Sequence, residues 1–108
     1  MAEFALIYTT LPDAGAARTM GEALVTARLA ACVNFSAPMT AIYEWKGAVT
    51  AESEVAMLIK TRDALADAAI AFARDRHPYE TPCFLKLPIE GGDASYLDWL
   101  RAQTKVTP

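Results

Sequence analysis

The side chains best suited to chemistry lie in one short stretch that holds the only histidine of the chain. His77, Tyr79, Glu80 and Cys83 bring an imidazole, a phenol, a carboxylate and a thiol close together. Imidazole and thiolate suit copper and zinc, so a metal site with His77 as a ligand is one hypothesis. The alternative is structural, because a histidine at the end of a helix can satisfy its last carbonyls and favours the helix dipole.

Two prolines, Pro78 and Pro82, make this stretch a rigid joint, since proline fixes φ and removes an amide donor. An apolar, helix-like run ends at Arg76, and a strand-like run begins at Cys83. The joint is therefore expected to seat the last strand. Any ligand bound there would contact one wall of a cleft, and the other wall would belong to a second subunit.

Five side chains are candidates for the lining of such a cleft: Tyr43, Trp45, Lys60, Tyr79 and Glu80. The alternative for the aromatic residues is the commoner one, packing in the core or at an interface. The sequence contains neither a Gly-x-Ser-x-Gly motif nor a glycine-rich phosphate loop. We therefore predict a protein that is not an enzyme and that requires no cofactor.

Composition narrows the class of protein further. The length of 108 residues fits one domain, residues 1–108, and the hydrophobic content of 54% is high for a monomer. The net charge is −3 and basic residues do not cluster, which argues against a nucleic-acid partner. Cys32 and Cys83 match no metal or redox spacing, so we expect two buried thiols.

The sequence shows no targeting signal of the usual kinds. Its first residues lack the positive charge and cleavage motif of a signal peptide, and no apolar run approaches the length of a membrane span. We therefore expect a cytoplasmic protein that has no membrane partner. The tail, residues 104–108, is expected to fray.

Hydrophobic periodicity predicts the order of the elements. They are a strand at 4–10, a helix at 14–30, a long hairpin at 31–61, a helix at 64–76, a strand at 83–87 that stops at Pro88, and a short helix capped by Asp93. Thr61 or Asp63 is the expected cap of the second helix. This β-α-β-β-α-β order with a short C-terminal helix predicts an α+β, ferredoxin-like split βαβ sandwich with a long hairpin between its second and third strands.

Burial along the third strand of this plan follows from alternation. Glu52 and Glu54 share one face and are expected to be solvated, and Val55, Met57 and Ile59 share the other face. The run Met57, Leu58 and Ile59 is expected to be central and buried. Helices cover only one face of such a sheet, yet apolar residues occupy both faces. A second copy of the chain is the simplest cover for the other face.

Five segments also resemble a known family in order and spacing. They are Ala30–Asn34, Ile42–Gly47, Leu58–Thr61, His77–Pro82 and Tyr96–Leu100. The sequence is similar to the CutA divalent-cation-tolerance family from about Phe4 to Arg101. The resemblance implies a ferredoxin-like fold, a homotrimer formed by strand pairing between subunits, and a link to copper and other divalent metals.

The resemblance also bears on the metal ligands. Proposed copper ligands in some bacterial members are a cysteine at the end of the first strand and two histidines before Pro-Tyr. The corresponding positions here are Thr9 and the pair Arg76 and His77, so only His77 matches. The fold and assembly are also similar to PII-type signalling proteins, which implies an alternative function: a sensor that binds a metabolite or anion in inter-subunit clefts.

Overall fold

The structure is a computed structural model that describes residues 2–104. Its elements are β1 (Phe4–Leu11), α1 (Ala14–Thr26), β2 (Cys32–Phe35), β3 (Met39–Trp45), β4 (Ala48–Arg62), α2 (Asp63–Arg76), β5 (Phe84–Ile89) and α3 (Ala94–Gln103). The expected fraying of the tail mostly concerns residues 105–108, which lie outside the described residues. Each described helix is too short or too polar to cross a membrane.

One antiparallel sheet organises the chain around β4, which is 15 residues long. The strand order is β2-β4-β1-β5, and β3 pairs with the first half of β4. Ile59 of β4 is level with Ile7 of β1 on one side and Val33 of β2 on the other. This arrangement confirms the predicted α+β, ferredoxin-like fold and its long hairpin.

Side chains that alternate along β1 and β4 build the core. Ile7 and Leu11 of β1 and Met57 and Ile59 of β4 are fully buried beneath α1 and α2. Helix α2 presents three buried alanines to the sheet, Ala66, Ala69 and Ala73, and such small side chains allow a helix to approach closely. The buried face is therefore the one that the alternation predicts.

The sheet face opposite α1 and α2, here called the open face, is apolar and only partly covered. Leu58, Leu85 and Leu87 lie on it and remain 37%, 56% and 45% exposed. The expected burial of Leu58 is therefore wrong in the single chain, because successive residues of a strand point to opposite faces. Helix α3 covers one end of the open face, where Leu100 packs with Phe4 and Ala31.

Helix α1 ends at Thr26, four residues before its expected end at Ala30. The backbone closes in a Schellman motif, in which Arg28 N–H donates to Val25 O at 3.0 Å and Leu29 N–H donates to Leu24 O at 3.1 Å. Arg28 adopts the left-handed conformation that this motif requires, with φ of 60°. Glycine usually occupies that position, so the sequence carried no stop signal.

Replacement of Arg28 by glycine is expected to stabilise the fold by about 0.5–1 kcal/mol, because a left-handed conformation is costly for a residue with a Cβ. Part of the gain is lost to the greater freedom of glycine in the unfolded chain. Urea denaturation measures the change. Arg18→Gly, inside α1, is the control and should lower the stability by about 1 kcal/mol; a loss for Arg28→Gly would contradict the prediction.

The second helix begins differently from the prediction. Asp63 is its first residue rather than its cap, and Arg62 at the cap position makes no capping side-chain bond among the described residues. Asp63 N–H instead donates to Glu3 O at 2.8 Å. The free amide at this helix end is thus satisfied by the N-terminal segment, which neighbours it only in the fold.

The last strand also departs from its expected bounds. It begins at Phe84, after Cys83, and runs through Pro88 to Ile89. Proline is tolerated there because β5 is an edge strand that pairs with β1 on one side.

The expected burial of both thiols is wrong, since Cys32 is half-buried and Cys83, which precedes the strand, is exposed.

Candidate functional site

His77 follows the last residue of α2 as its C-cap and is fixed by two hydrogen bonds to the backbone. Its Nε2 lies 2.7 Å from Thr10 O, and the N–H of Tyr79 donates to its Nδ1 at 3.1 Å. A carbonyl oxygen only accepts and an amide N–H only donates, so the ring is neutral with its proton on Nε2. The imidazole therefore joins the end of β1 to the loop that leads into β5.

Metal binding by His77 would require one of these two hydrogen bonds to break. A metal needs a free lone pair, and the only one on the neutral ring already accepts the Tyr79 N–H. Coordination at Nδ1 would release that amide, and coordination at Nε2 would break the bond to Thr10. The ring also contacts Tyr79 and Phe84, at centroid distances of 4.8 and 5.7 Å, which further fix its orientation.

The loop that His77 holds brings Tyr79 to β4. The Tyr79 hydroxyl donates to Oε2 of Glu54 at 3.1 Å, just beyond the point where β1 ends at Leu11. Partial burial is the main reason, and the hydrogen bond to Glu54 the second, that the pKa of Tyr79 is raised to about 12. The phenol therefore stays protonated near neutral pH and acts as a hydrogen-bond donor to the Glu54 carboxylate.

Glu54 belongs to a carboxylate–phenol cluster, defined here as Glu52, Glu54, Tyr43 and Tyr79. Partial shielding from water and then the Glu52 carboxylate raise the pKa of Tyr43. Shielding and the charge of Glu54 likewise raise the pKa of Cys83. A raised pKa reduces the thiolate fraction, so Cys83 has the opposite of the environment that activates a nucleophilic cysteine.

Replacement of Glu54 by glutamine is expected to lower the pKa of Tyr79 from about 12 part of the way to its ordinary 10.0. The negative charge disfavours the phenolate, and burial, the larger cause, remains. Ultraviolet titration of phenolate absorbance measures the shift, and Tyr79→Phe assigns the signal. The wild type should also lose stability as the pH rises from 10.0 to about 12, because the folded state holds this proton more tightly.

An unchanged titration in Glu54→Gln would contradict the hydrogen bond. The control is Glu90→Gln, which removes an exposed carboxylate outside the cluster and should leave the pKa of Tyr79 unchanged.

The other predicted cleft residues lie elsewhere in the chain. Trp45 sits at the hairpin turn, where the Lys46 amine lies 5.8 Å from the centre of its ring. Lys60 is six residues along β4 from Glu54, about 20 Å at the rise of a strand. Glu80 is exposed. One chain therefore joins Tyr43, Tyr79 and His77 into one region. Trp45 lies two residues beyond Tyr43 on β3, toward the hairpin turn, and Lys60 lies at the far end of β4.

Two contributors to this region were missed by sequence reasoning. Glu54 was expected to be solvated, yet it is half-buried and accepts a hydrogen bond from Tyr79. The carbonyl of Thr10 was not anticipated because backbone groups leave no pattern in a sequence. The position of Glu54 on the same strand face as Glu52 was visible, but the path of the 77–83 loop was not.

The ligand set that one chain offers to a metal is small. Within residues 2–104, no group of three or more His, Cys, Asp or Glu side chains is placed to hold a metal ion. Thr9 does not supply a metal ligand either, since its side chain is fully buried. Its hydroxyl has no hydrogen-bond partner among the described residues. A cation held here would need further ligands from outside the chain.

Comparison with known proteins places this geometry in a family. Residues 5–103 match the model of the CutA1 divalent ion tolerance protein. Human protein CutA is 44% identical over 98 residues, which are 91% of this chain and 55% of the human protein. The chain thus spans about half the length of that relative. The divalent-cation tolerance protein CutA of Thermus thermophilus is 42% identical over 99 residues, 92% of this chain and 96% of that protein.

The three-dimensional comparison agrees with the sequence comparison. The crystal structure of CutA1 from Oryza sativa superimposes with a TM-score of 0.94 at 33% identity, over 98% of this chain and 97% of that one. Fold and sequence therefore match over nearly the same residues. This chain belongs to the CutA1 divalent ion tolerance family.

Proposed function

We propose that the chain acts in divalent-cation tolerance as a non-catalytic, cytoplasmic homotrimer that binds Cu²⁺ or another divalent cation between its subunits. The observation that carries the proposal is the open face. Its exposed leucines lie on the same sheet face as Glu54, so a copy that covers the leucines would also approach the carboxylate–phenol cluster.

The uncovered apolar surface supports the assembly. Leu58, Leu85 and Leu87 are exposed apolar side chains on one sheet face, and Tyr8 of β1 lies between Leu58 and Leu85. An exposed apolar patch of this kind marks an interaction surface. Strand edges support it too, because the outer sides of β2 and β3 are unpaired within the described residues. Such edges can accept a strand from another copy.

The chemistry of the cluster supports the cation. Glu52 and Glu54 supply carboxylate oxygens, and His77 supplies an imidazole if one of its backbone hydrogen bonds is released. Carboxylates suit hard cations and imidazole suits copper, so the identity of the metal follows from which groups bind it. A trimer would add ligands that a single chain does not provide.

Calorimetry with Cu²⁺ tests the metal part of the proposal. Wild type should release heat, and loss of that heat in His77→Ala would assign the imidazole. Loss in Glu54→Gln with heat retained in His77→Ala would assign the carboxylates. Glu22→Gln, on the exposed side of α1, is the control and should bind as the wild type does. No heat from the wild type would contradict cation binding.

A second candidate function is a small-molecule sensor similar to PII-type proteins. One observation favours it: the Lys60 amine lies 5.6 Å from the centre of the Tyr96 ring, and Tyr96 pairs with Trp99 at 5.6 Å. All three lie on the open face or on α3, which covers it. A cation beside two half-exposed aromatic rings would suit a planar, anionic metabolite.

A thermal-shift screen of nucleotides and organic acids distinguishes the two functions. A ligand present at 100 times its Kd stabilises the folded state by about 2.7 kcal/mol. A hit that Lys60→Gln abolishes would support the sensor. A flat screen beside heat from Cu²⁺ would support the cation-binding function instead.

A further inference from the structure

We propose that α3 is a latched lid, a helix that two arginines hold over one end of the open face and that opens as a unit without unfolding of the sheet. Its apolar anchor is small, because Leu100 is the only buried side chain among its ten residues. An element with so few buried contacts belongs to the part of a fold that opens most easily. Something other than burial must therefore hold it.

The first latch is Arg101, which reaches from α3 to the N-terminal segment. Its Nε and Nη2 donate to the two carboxylate oxygens of Glu3 at 2.6 and 2.9 Å, and its Nη1 donates to Asp98 at 2.8 Å. The same guanidinium lies 5.3 Å from the centre of the Phe4 ring. A bidentate arginine–carboxylate pair that is part of a network is the type of surface ion pair that contributes measurably to stability.

The second latch is Arg62, which reaches from the end of β4 to the C-terminal end of α3. Its Nη2 donates to Arg101 O at 2.6 Å, and its Nε donates to Thr104 Oγ1 at 3.3 Å. The last carbonyls of a helix lack internal partners and carry partial negative charge. A guanidinium from the sheet therefore caps α3, and both latches act near one end of the helix.

The surface beneath the lid is apolar and continuous with the exposed leucines. Leu100 and Leu97 cover Phe4, Ala31 and Ile89. Phe4 pairs with Ile89, and Leu6, two residues along β1, pairs with the exposed Leu87. Opening of α3 thus lengthens the apolar strip of the open face, whether or not the chain binds a metal ion.

Hydrogen–deuterium exchange of the full chain tests the lid, with Glu3→Gln as the variant because it keeps the shape of the side chain and removes its charge. The amides of α3 should exchange roughly two- to fivefold faster, the loss expected for an exposed ion pair, while those of β1 stay unchanged. Glu22→Gln is the matched control, since it removes an exposed partner of Arg18 elsewhere. Equal exchange of α3 in variant and wild type would overturn the proposal.

A second measurement uses the unmodified protein. Exposed ion pairs weaken with salt, so exchange of α3 in the wild type should accelerate at about 1 M NaCl, where the Debye length falls to about 3 Å, and β1 should not. Acceleration of both elements together would mean global unfolding and would overturn the lid. This comparison remains decisive if Glu3→Gln does not fold.

Discussion

Replacement of Leu85 by lysine is expected to leave the chain folded and to dissociate the proposed homotrimer. Leu85 is 56% exposed on the open face, so the single chain tolerates a charge there. In an assembly that covers this face, the ammonium would be buried without a partner, which costs about 3–5 kcal/mol for each site. Sedimentation velocity at micromolar concentration should report a monomer whose circular dichroism spectrum matches that of the wild type.

The control for this experiment is Val25→Lys. Val25 is also partly exposed, at 42%, but it lies on α1, on the other side of the sheet. It should sediment as the wild type does. If Leu85→Lys keeps the wild-type mass, the open face is not the interface; if the wild type itself is a monomer, the proposed trimer is wrong.

Truncation of Ile59 to alanine is expected to cost about 2–5 kcal/mol of unfolding free energy, a large share of the 5–15 kcal/mol typical of a domain. Ile59 is fully buried at the centre of the sheet, between Ile7 of β1 and Val33 of β2. Three elements meet there, so the cavity cannot easily collapse. Urea denaturation at a fixed protein concentration measures the loss.

The matched control for the truncation is Val25→Ala, which removes apolar atoms from an exposed site on α1. Its unfolding free energy should change by no more than about 0.5 kcal/mol. A cost for Ile59→Ala as small as that of the control would show that β4 is not the central buried strand.

Much of the fold could be predicted because it depends on periodicity. Alternation along the chain placed Val55, Met57 and Ile59 on one face and Glu52 and Glu54 on the other, as the structure confirms. The same alternation places Leu58 on the face opposite Ile59. An apolar run within a strand therefore does not show that all of its side chains are buried. Lys46 and Gly47, a dipeptide of the type that favours a hairpin turn, adopt positive φ and connect β3 to β4.

The candidate site was harder to predict because contacts between distant segments create it. His77 was singled out by its rarity, but its two backbone partners depend on how the 77–83 loop folds against the end of β1. The same fold-back brings Tyr79 to Glu54 across 25 positions of sequence. No local pattern encodes such a contact. The left-handed conformation of Arg28, two residues after α1 ends at Thr26, was likewise not evident from the sequence.

The position of Pro88 has a consequence for how the protein avoids aggregation. Pro88 and Lys86 lie on β5, the edge of the sheet next to β1. A proline offers no amide donor and a charged lysine resists desolvation, so both oppose the addition of a further strand at this edge. Addition of strands is thereby left to the outer sides of β2 and β3, which are unpaired within the described residues. The chain can therefore expose an apolar face and unpaired strands for self-association while keeping a barrier against the cross-β stacking that such surfaces otherwise invite.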